Sequence, residues 1–259
     1  MNTVINIVLL TGDGLWGKNI VAYFEQRGMP ISCVICEERV PRKSIFRRRI
    51  KKLGFWTACG QVLFQILAIP LLNRIYRPRI ERIKAEHQIT DAPIPKQLIH
   101  HVQSVNDATV VTLLQKFKPD VVLVAGTRII KPNLLACSMA PFINIHAGIT
   151  PLYRGVHGAY WALVERNPAA CGVTVHLVDE GIDTGAVLGQ TLITPTAHDS
   201  FVTYTLLQLK EGLQLLYNAV QAAGEHRLTP QASLVQQSKL RSHPTLWFYL
   251  WQWLRHGVK

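Results

Sequence analysis

Residues 4–17 read VINIVLLTGDGLWG, and this stretch decides the fold. Residues 4–10 are an apolar run, interrupted only by Asn6 and rich in β-branched side chains, the pattern of a parallel strand covered on both faces. Gly12, Gly14 and Gly17 break the run. Residues 18–27 then carry Ile20, Val21 and Phe24 at helical spacing, up to a stop at Gly28. Residues 31–36 supply a second strand. A strand, a glycine loop, a helix and a strand in that order open a doubly wound sheet.

Working outward, residues 120–125 (DVVLVA), 142–145 and 172–178 (GVTVHLV) predict further strands. Residues 110–117 predict a helix behind an N-cap at Asn106-Asp107. Residues 201–222 predict a long one, with a stripe of Leu206, Leu209, Leu213 and Leu216. The expected fold class is therefore α/β: a Rossmann-like, doubly wound, mostly parallel sheet. It is expected to fill residues 1–222, with a basic, apolar helical insert at about 39–90 and a C-terminal extension over 223–259. That extension gathers Trp247, Phe248, Tyr249, Trp251 and Trp253 without an obvious place in the sheet.

The 259 residues are 48% apolar and 17% charged, which supports a sizeable core and excludes a disordered chain or a disulfide mini-protein. The five cysteines show no framework spacing, and no basic segment precedes the first strand. Both features predict a cytoplasmic chain with free thiols. The net charge is +12, but it is not spread evenly: residues 39–84 hold 13 Lys and Arg against the single acid Glu81, and the rest of the chain balances. A partner for that charge belongs at the segment, not over the whole surface.

Gly12-x-Gly14-x-x-Gly17 sits between a strand and a helix. Its backbone can approach a phosphate, and the helix start supplies N–H groups and partial positive charge. Glu37 and Glu38 close the second strand where a ribose-binding acid would stand, so an NAD(P)-binding oxidoreductase is one reading. A phosphate belonging to a substrate is the other.

Asn144-Ile145-His146 ends a strand, and alternation puts Asn144 and His146 on one face. Asp179-Glu180-Gly181-Ile182-Asp183-Thr184-Gly185 follows the next strand as a glycine-bent loop. An amide, an imidazole and a carboxylate from two such loops suit acyl transfer. Asn144 can donate to a developing oxyanion, His146 can take a proton, and Asp183 can orient or balance it.

Those segments, together with Pro151-Leu152-Tyr153-Arg154-Gly155, Trp161-Ala162-Leu163 and Gly172-Val173-Thr174-Val175, resemble the 10-formyltetrahydrofolate-dependent formyltransferases in order and spacing across residues 142–185. The resemblance covers about 1–38 and 104–222. It implies Asn144, His146 and Asp183 as the catalytic set, with the acceptor's amine attacking the formyl carbon. It implies folate docking at Thr127, Arg128, Ile129, Ile130 and Asp179. It places the acceptor near Gly12, Gly14, Arg154 and Gly155, and at His157, where this chain departs from the family's usual small residue or proline.

Within that family, methionyl-tRNA formyltransferases carry a C-terminal domain for which the 37 residues after Ala222 are too few. The glycinamide ribonucleotide enzyme of the purine pathway needs no cationic insert and stands as the runner-up. The expected function is transfer to a nucleotide-linked amino sugar for surface polysaccharide synthesis.

Residues 53–72 are twenty without a charge, the length of a membrane span. A span there would split one sheet across a bilayer, and Thr57, Gln61 and Gln65 give the helix a polar stripe, so spanning is rejected. The helix is expected to pack on its own domain or on a second copy of the chain; the alternative is an anionic membrane surface met by residues 39–84. Nucleic acid is not an expected partner, because the aromatics interleave with leucines instead of arginines. Cys33 and Cys36 fall within a strand and are read as structural, His100-His101 makes no metal case, and His176 is read as a core or loop-facing histidine.

Overall fold

The computed structural model describes residues 5–231 and 237–259. Its centre is a seven-stranded sheet. The first strand, β1 (Ile7–Gly12), lies parallel to β2 (Cys33–Glu37) and to β4 (Val121–Ala125). Val4, the expected start of that strand, lies outside the described residues. On one side β2 pairs with β3 (Ile99–Val102). On the other, β4 pairs with β5 (Phe142–His146), and the antiparallel strands β7 (Gly172–Leu177) and β8 (Val187–Leu192) complete the sheet. The order is β3-β2-β1-β4-β5-β7-β8. A short separate pair joins β6 (Tyr153–Gly155) to β9 (Lys239–Arg241).

The apolar runs explain the centre. Ile7, Leu9, Val34, Val121 and Leu123 are sealed from solvent on one face. On the other, Val8, Leu10, Cys33 and Ile35 do the same beneath α6 (Ala108–Phe117). Each such side chain contributes about 1.5–3 kcal/mol by leaving water. The first face is covered by α1 (Leu15–Glu25) and α9 (Phe201–Gly224), whose Leu206, Leu209, Leu213 and Leu216 are all buried as the leucine stripe predicts. At the start of α9, Ser200 N donates to Thr203 Oγ1 at 2.9 Å. Chain order reverses between β1 and β4, so a crevice opens at the carboxyl ends of these strands.

The insert is helical throughout. Helix α2 (Arg42–Leu53) buries no residue at all. After Gly54, α3 (Phe55–Leu63), a π-helical turn (Phe64–Ala68) and α4 (Ile69–Ile75) form one 21-residue apolar run, of which only 33% is buried across its most apolar stretch. Ala58, Phe64, Ala68 and Leu72 face the protein. The polar stripe turns inward: Thr57 and Gln65 are half-buried. Gln61 is buried and its amide donates to Ser242 Oγ at 3.1 Å and His243 O at 2.8 Å. Phe55, Trp56, Leu67 and Leu71 are exposed instead. Helix α5 (Arg77–Glu86) returns the chain to the sheet.

A second core lies under the insert. Phe64 meets Phe201 at 4.8 Å and Tyr249 at 5.0 Å, and Tyr160, from the helix following β6, meets Phe201 at 5.1 Å. Tyr249 belongs to a closing helix, Leu246–His256, whose Thr245 side chain accepts from Phe248 N. The aromatics of the extension thus pack against the insert, with Trp247 seated where Gly60 lacks a side chain.

Candidate active site

Strand β5 presents Asn144 and His146 at its carboxyl end, and the loop after β7 brings Asp183 to them. His146 Nδ1 lies 3.4 Å from Asp183 Oδ2. Asn144 stands opposite His176 in the β5–β7 register, and its Nδ2 is 3.0 Å from His176 Nε2. His176 Nε2 is also 3.8 Å from Asp183 Oδ1. The structure therefore brings the three sequence-read residues together and adds a fourth. His176, read from sequence as a core or loop-facing side chain, bridges Asn144 and Asp183. The signal that would have found it is the antiparallel pairing of β5 with β7, which no local pattern reveals.

Hydrogen-bond partners fix the protons. Tyr153 O can only accept, so His146 Nε2, 2.9 Å away, carries a hydrogen and Nδ1 faces Asp183. Leu177 O likewise takes the Nδ1–H of His176 at 2.7 Å, leaving Nε2 to accept from the Asn144 amide. Burial drives the His146 pKa below its ordinary 6.5, against the pull of Asp183 and the Tyr153 carbonyl. Burial alone would raise Asp183. His176, His146 and the Gly155 amide outweigh it and hold the carboxyl below its ordinary value. Near neutrality the pair is thus a carboxylate facing an imidazole lone pair, a gap that one proton closes.

The frame around these groups is tight. A side chain at Gly148 would stand 2.6 Å from Tyr153 O and 2.9 Å from His146 Nε2, and one at Gly158 would stand 2.4 Å from Gly148 Cα, so the two chain passes behind His146 touch backbone to backbone. Gly155 N donates to Asp183 Oδ2 at 2.9 Å, and Arg154 donates to Ile182 O at 3.0 Å. Asp183 itself sits at φ 52°, a left-handed conformation that aspartate tolerates better than most side chains. His157 turns from the site to His243, 2.9 Å away.

Two cavities meet here. The smaller, about 470 Å³, is lined by Asn144, His146, His176 and Asp183, and by Ile129, Ile130, Asp179, Gly155 and His157 beyond them. The larger, about 1150 Å³, runs from Gly12 and Gly14 beneath the insert. Trp16, Gly126, Thr127 and Arg128 line both. Of the sequence-read set, Arg154 alone lines neither and braces the Asp183 loop instead. A side chain at Gly14 would meet nothing within 4 Å, whereas one at Gly17 would strike Thr11, so Gly14 leaves approach space and Gly17 serves packing.

The dinucleotide reading loses one of its two acids, while Glu38 stays exposed on the lining of the larger cavity. Glu37 is 6% exposed. Its carboxylate accepts from Arg128 N at 2.6 Å and Val105 N at 3.2 Å, and pairs with the Arg128 guanidinium at 3.3 Å. It holds the 127–130 segment in place, buried and already engaged by three N–H donors.

The formyl transferase family model matches residues 78–220, more than half of the chain. The chain belongs to the formyl transferase family. The glycine loop and most of the basic insert lie outside the matched residues. A methionyl-tRNA formyltransferase from Pelotomaculum thermopropionicum is 33% identical over 122 residues, 47% of this chain and 39% of that protein. The match thus spans about two fifths of that relative's length. Among solved structures, glycinamide ribonucleotide transformylase 1 from Symbiobacterium toebii superposes with TM-score 0.59 at 18% identity, covering 90% of this chain and 93% of that one. A sugar N-formyltransferase from a Shewanella species gives TM-score 0.55 at 16% identity, over 91% and 76%.

The family implies a folate formyl donor, and the smaller cavity suits one. Ile129, Ile130 and Val178 offer apolar walls for a flat ring system, and Asn144 and Asp179 stand at its polar margins.

Proposed function

We propose that this formyl transferase family member moves a formyl group from 10-formyltetrahydrofolate to the amine of an amino sugar held through phosphate, the nucleotide-linked form being the acceptor read from the sequence. The observation that carries the reading is the meeting of Asn144, His146 and Asp183 in the smaller cavity, which shares Trp16, Gly126, Thr127 and Arg128 with the larger one. The donor occupies the smaller cavity along Thr127, Arg128, Ile129 and Ile130, and the acceptor's phosphate lies toward Gly12 and Gly14.

The chemistry follows from the side chains. The amine nitrogen forms a bond to the formyl carbon, and the carbonyl oxygen gains negative charge. His176 fixes one N–H of Asn144, so the other is free for that oxygen. The attacking amine carries one proton too many, and the His146–Asp183 gap receives it. The proton then goes to the departing folate nitrogen as its bond to carbon breaks.

All five cysteines are free, in accord with a reducing, cytoplasmic setting, and the basic segment 39–84 supports peripheral contact with an anionic membrane. The test mixes the protein with 10-formyltetrahydrofolate and amines of each class: nucleotide-linked amino sugars, glycinamide ribonucleotide and methionyl-tRNA. Formamide on an amino sugar, lost in Asn144→Ala and His146→Ala, supports the reading. Turnover confined to glycinamide ribonucleotide or methionyl-tRNA overturns the acceptor, and no donor consumption with any amine overturns formyl transfer.

A further inference from the structure

The larger cavity has two unlike walls. One is the glycine loop, with Arg42, Lys43 and Arg49 beside it. Among the described residues, none of these three cations has a carboxylate within 4.0 Å, whereas Arg39 and Arg128 are paired with Asp13 and Glu37. The other wall is Ile45 and Phe46 of α2 with Val62, Ile66 and Ile69 of the following helices. Apart from those three α2 cations, the one polar side chain these helices add to the lining, Gln65, already accepts from Arg49 at 3.1 Å. Ile66 both lines the cavity and is 53% exposed, so the cavity opens onto the helix face that carries Phe55, Trp56, Leu67 and Leu71 in water. The closing helix packs beside that face and adds exposed Trp251 and Leu254.

We propose that the acceptor arrives on a hydrocarbon chain: an amine-bearing headgroup joined through phosphate to an acyl or prenyl tail, drawn from an anionic membrane surface. The proposal rests on the formyl transfer reading and replaces the nucleotide with a lipid as the acceptor's carrier. Cations without a carboxylate partner beside a glycine loop suit a phosphate. Glu38, Thr127 and His243 also line the cavity, but its helical side beyond the cations offers only Gln65 to hydrogen-bond a base and much to cover methylenes. The outer face, apolar with Arg47, Arg48 and Lys52 exposed next to it, matches a bilayer of negative headgroups.

Calorimetry with alkyl phosphates reads the cavity without catalysis. Each buried methylene multiplies affinity about fourfold, so decyl phosphate should bind at least 100-fold more tightly than ethyl phosphate. Phe46→Asp should erase that difference, and Ile66→Asp, at the exposed mouth, does so if the first variant fails to fold. Equal binding of the two phosphates overturns the proposal. With 10-formyltetrahydrofolate present, the decyl phosphate ester of an amino sugar should show a higher kcat/KM than its methyl ester and its nucleotide-linked form. Preference for the nucleotide overturns the lipid carrier and leaves formyl transfer standing. Tight decyl phosphate binding with no amine ever formylated overturns formyl transfer and leaves the cavity assignment standing. The protein should sediment with phosphatidylglycerol-containing vesicles at low salt, and Trp56→Glu with Leu67→Glu should release it. Indifference of the unmodified protein to such vesicles overturns the membrane origin of the acceptor.

Discussion

Asn144 Nδ2 lies 3.0 Å from His176 Nε2, across the antiparallel junction of β5 and β7. Because Leu177 O holds the far side of the His176 ring, the imidazole can only accept from the amide. Asn144 is thereby aimed, with one N–H bound and one presented to the cavity. Asn144→Ala should lower kcat by about 10²–10³. His176→Phe removes only the aim and should cost on the order of tenfold, the worth of one hydrogen bond of ~1.4 kcal/mol. Steady-state kinetics with KM nearly unchanged checks both, and an unaltered kcat in His176→Phe would remove the positioning role.

The His146–Asp183 gap predicts a pH profile. Proton uptake needs a neutral His146 beside an ionised Asp183. Burial lowers the His146 pKa and its neighbours lower that of Asp183, so the competent form persists below the ordinary histidine value of 6.5. The acid limb of kcat/KM should fall below pH 6.5. Asp183→Asn should lower kcat, with circular dichroism showing a retained fold.

His157 and His243 form a half-buried pair 2.9 Å apart. Burial first, then His243 beside His157 and Arg49 beside His243, pushes His157 down to about 3 and His243 to about 4. Their folded pKa values lie below the unfolded 6.5, so the unfolded chain binds more protons on the acid side. Their stabilisation is complete above about pH 6.5 and declines as pH falls toward 4, by up to about 1.4 kcal/mol per pH unit for each histidine. Thermal melts between pH 7 and pH 4.5 should show this decline, and His157→Phe should flatten it.

Phe64 is sealed between Phe201 and Tyr249 at the π-helical turn of the insert. Phe64→Ala should cost about 3–5 kcal/mol. Because this ring joins the insert, α9 and the closing helix, unfolding should remain a single transition at a lower Tm. Two separate transitions in the unmodified protein would show the insert folding on its own.

Glu37 holds the 127–130 segment through two backbone amides and the Arg128 guanidinium. Glu37→Gln keeps the shape but cannot satisfy all three donors. It should raise the donor's KM by at least tenfold with a smaller change in kcat, measured by varying 10-formyltetrahydrofolate.

The sheet was legible where strands are buried on both faces, because β1, β2, β4, β5 and β7 then read as apolar runs. Strand β3, with sequence IHHV, and β8, with VLGQTL, stand at the two edges and keep polar or exposed positions, so their pattern dissolves into loop. The Asn144–His146 spacing and the Asp183 loop were readable as local signals. His176 was not, since its role depends on register with a strand thirty residues earlier. Glu37 was misread because its position at a strand end matches a ribose-binding acid, while the amides that occupy it come from distant segments. The partners of Gln61, Ser242 and His243, lie in the extension, so spacing alone could not name them.

The parallel pairing of Lys239–Arg241 with Tyr153–Gly155 lashes the tail of the chain to the segment whose carbonyl holds His146 and whose amide holds Asp183. Tail and reaction centre therefore cannot drift independently. Any remodelling of the last twenty residues is transmitted to the loop that carries Asp183.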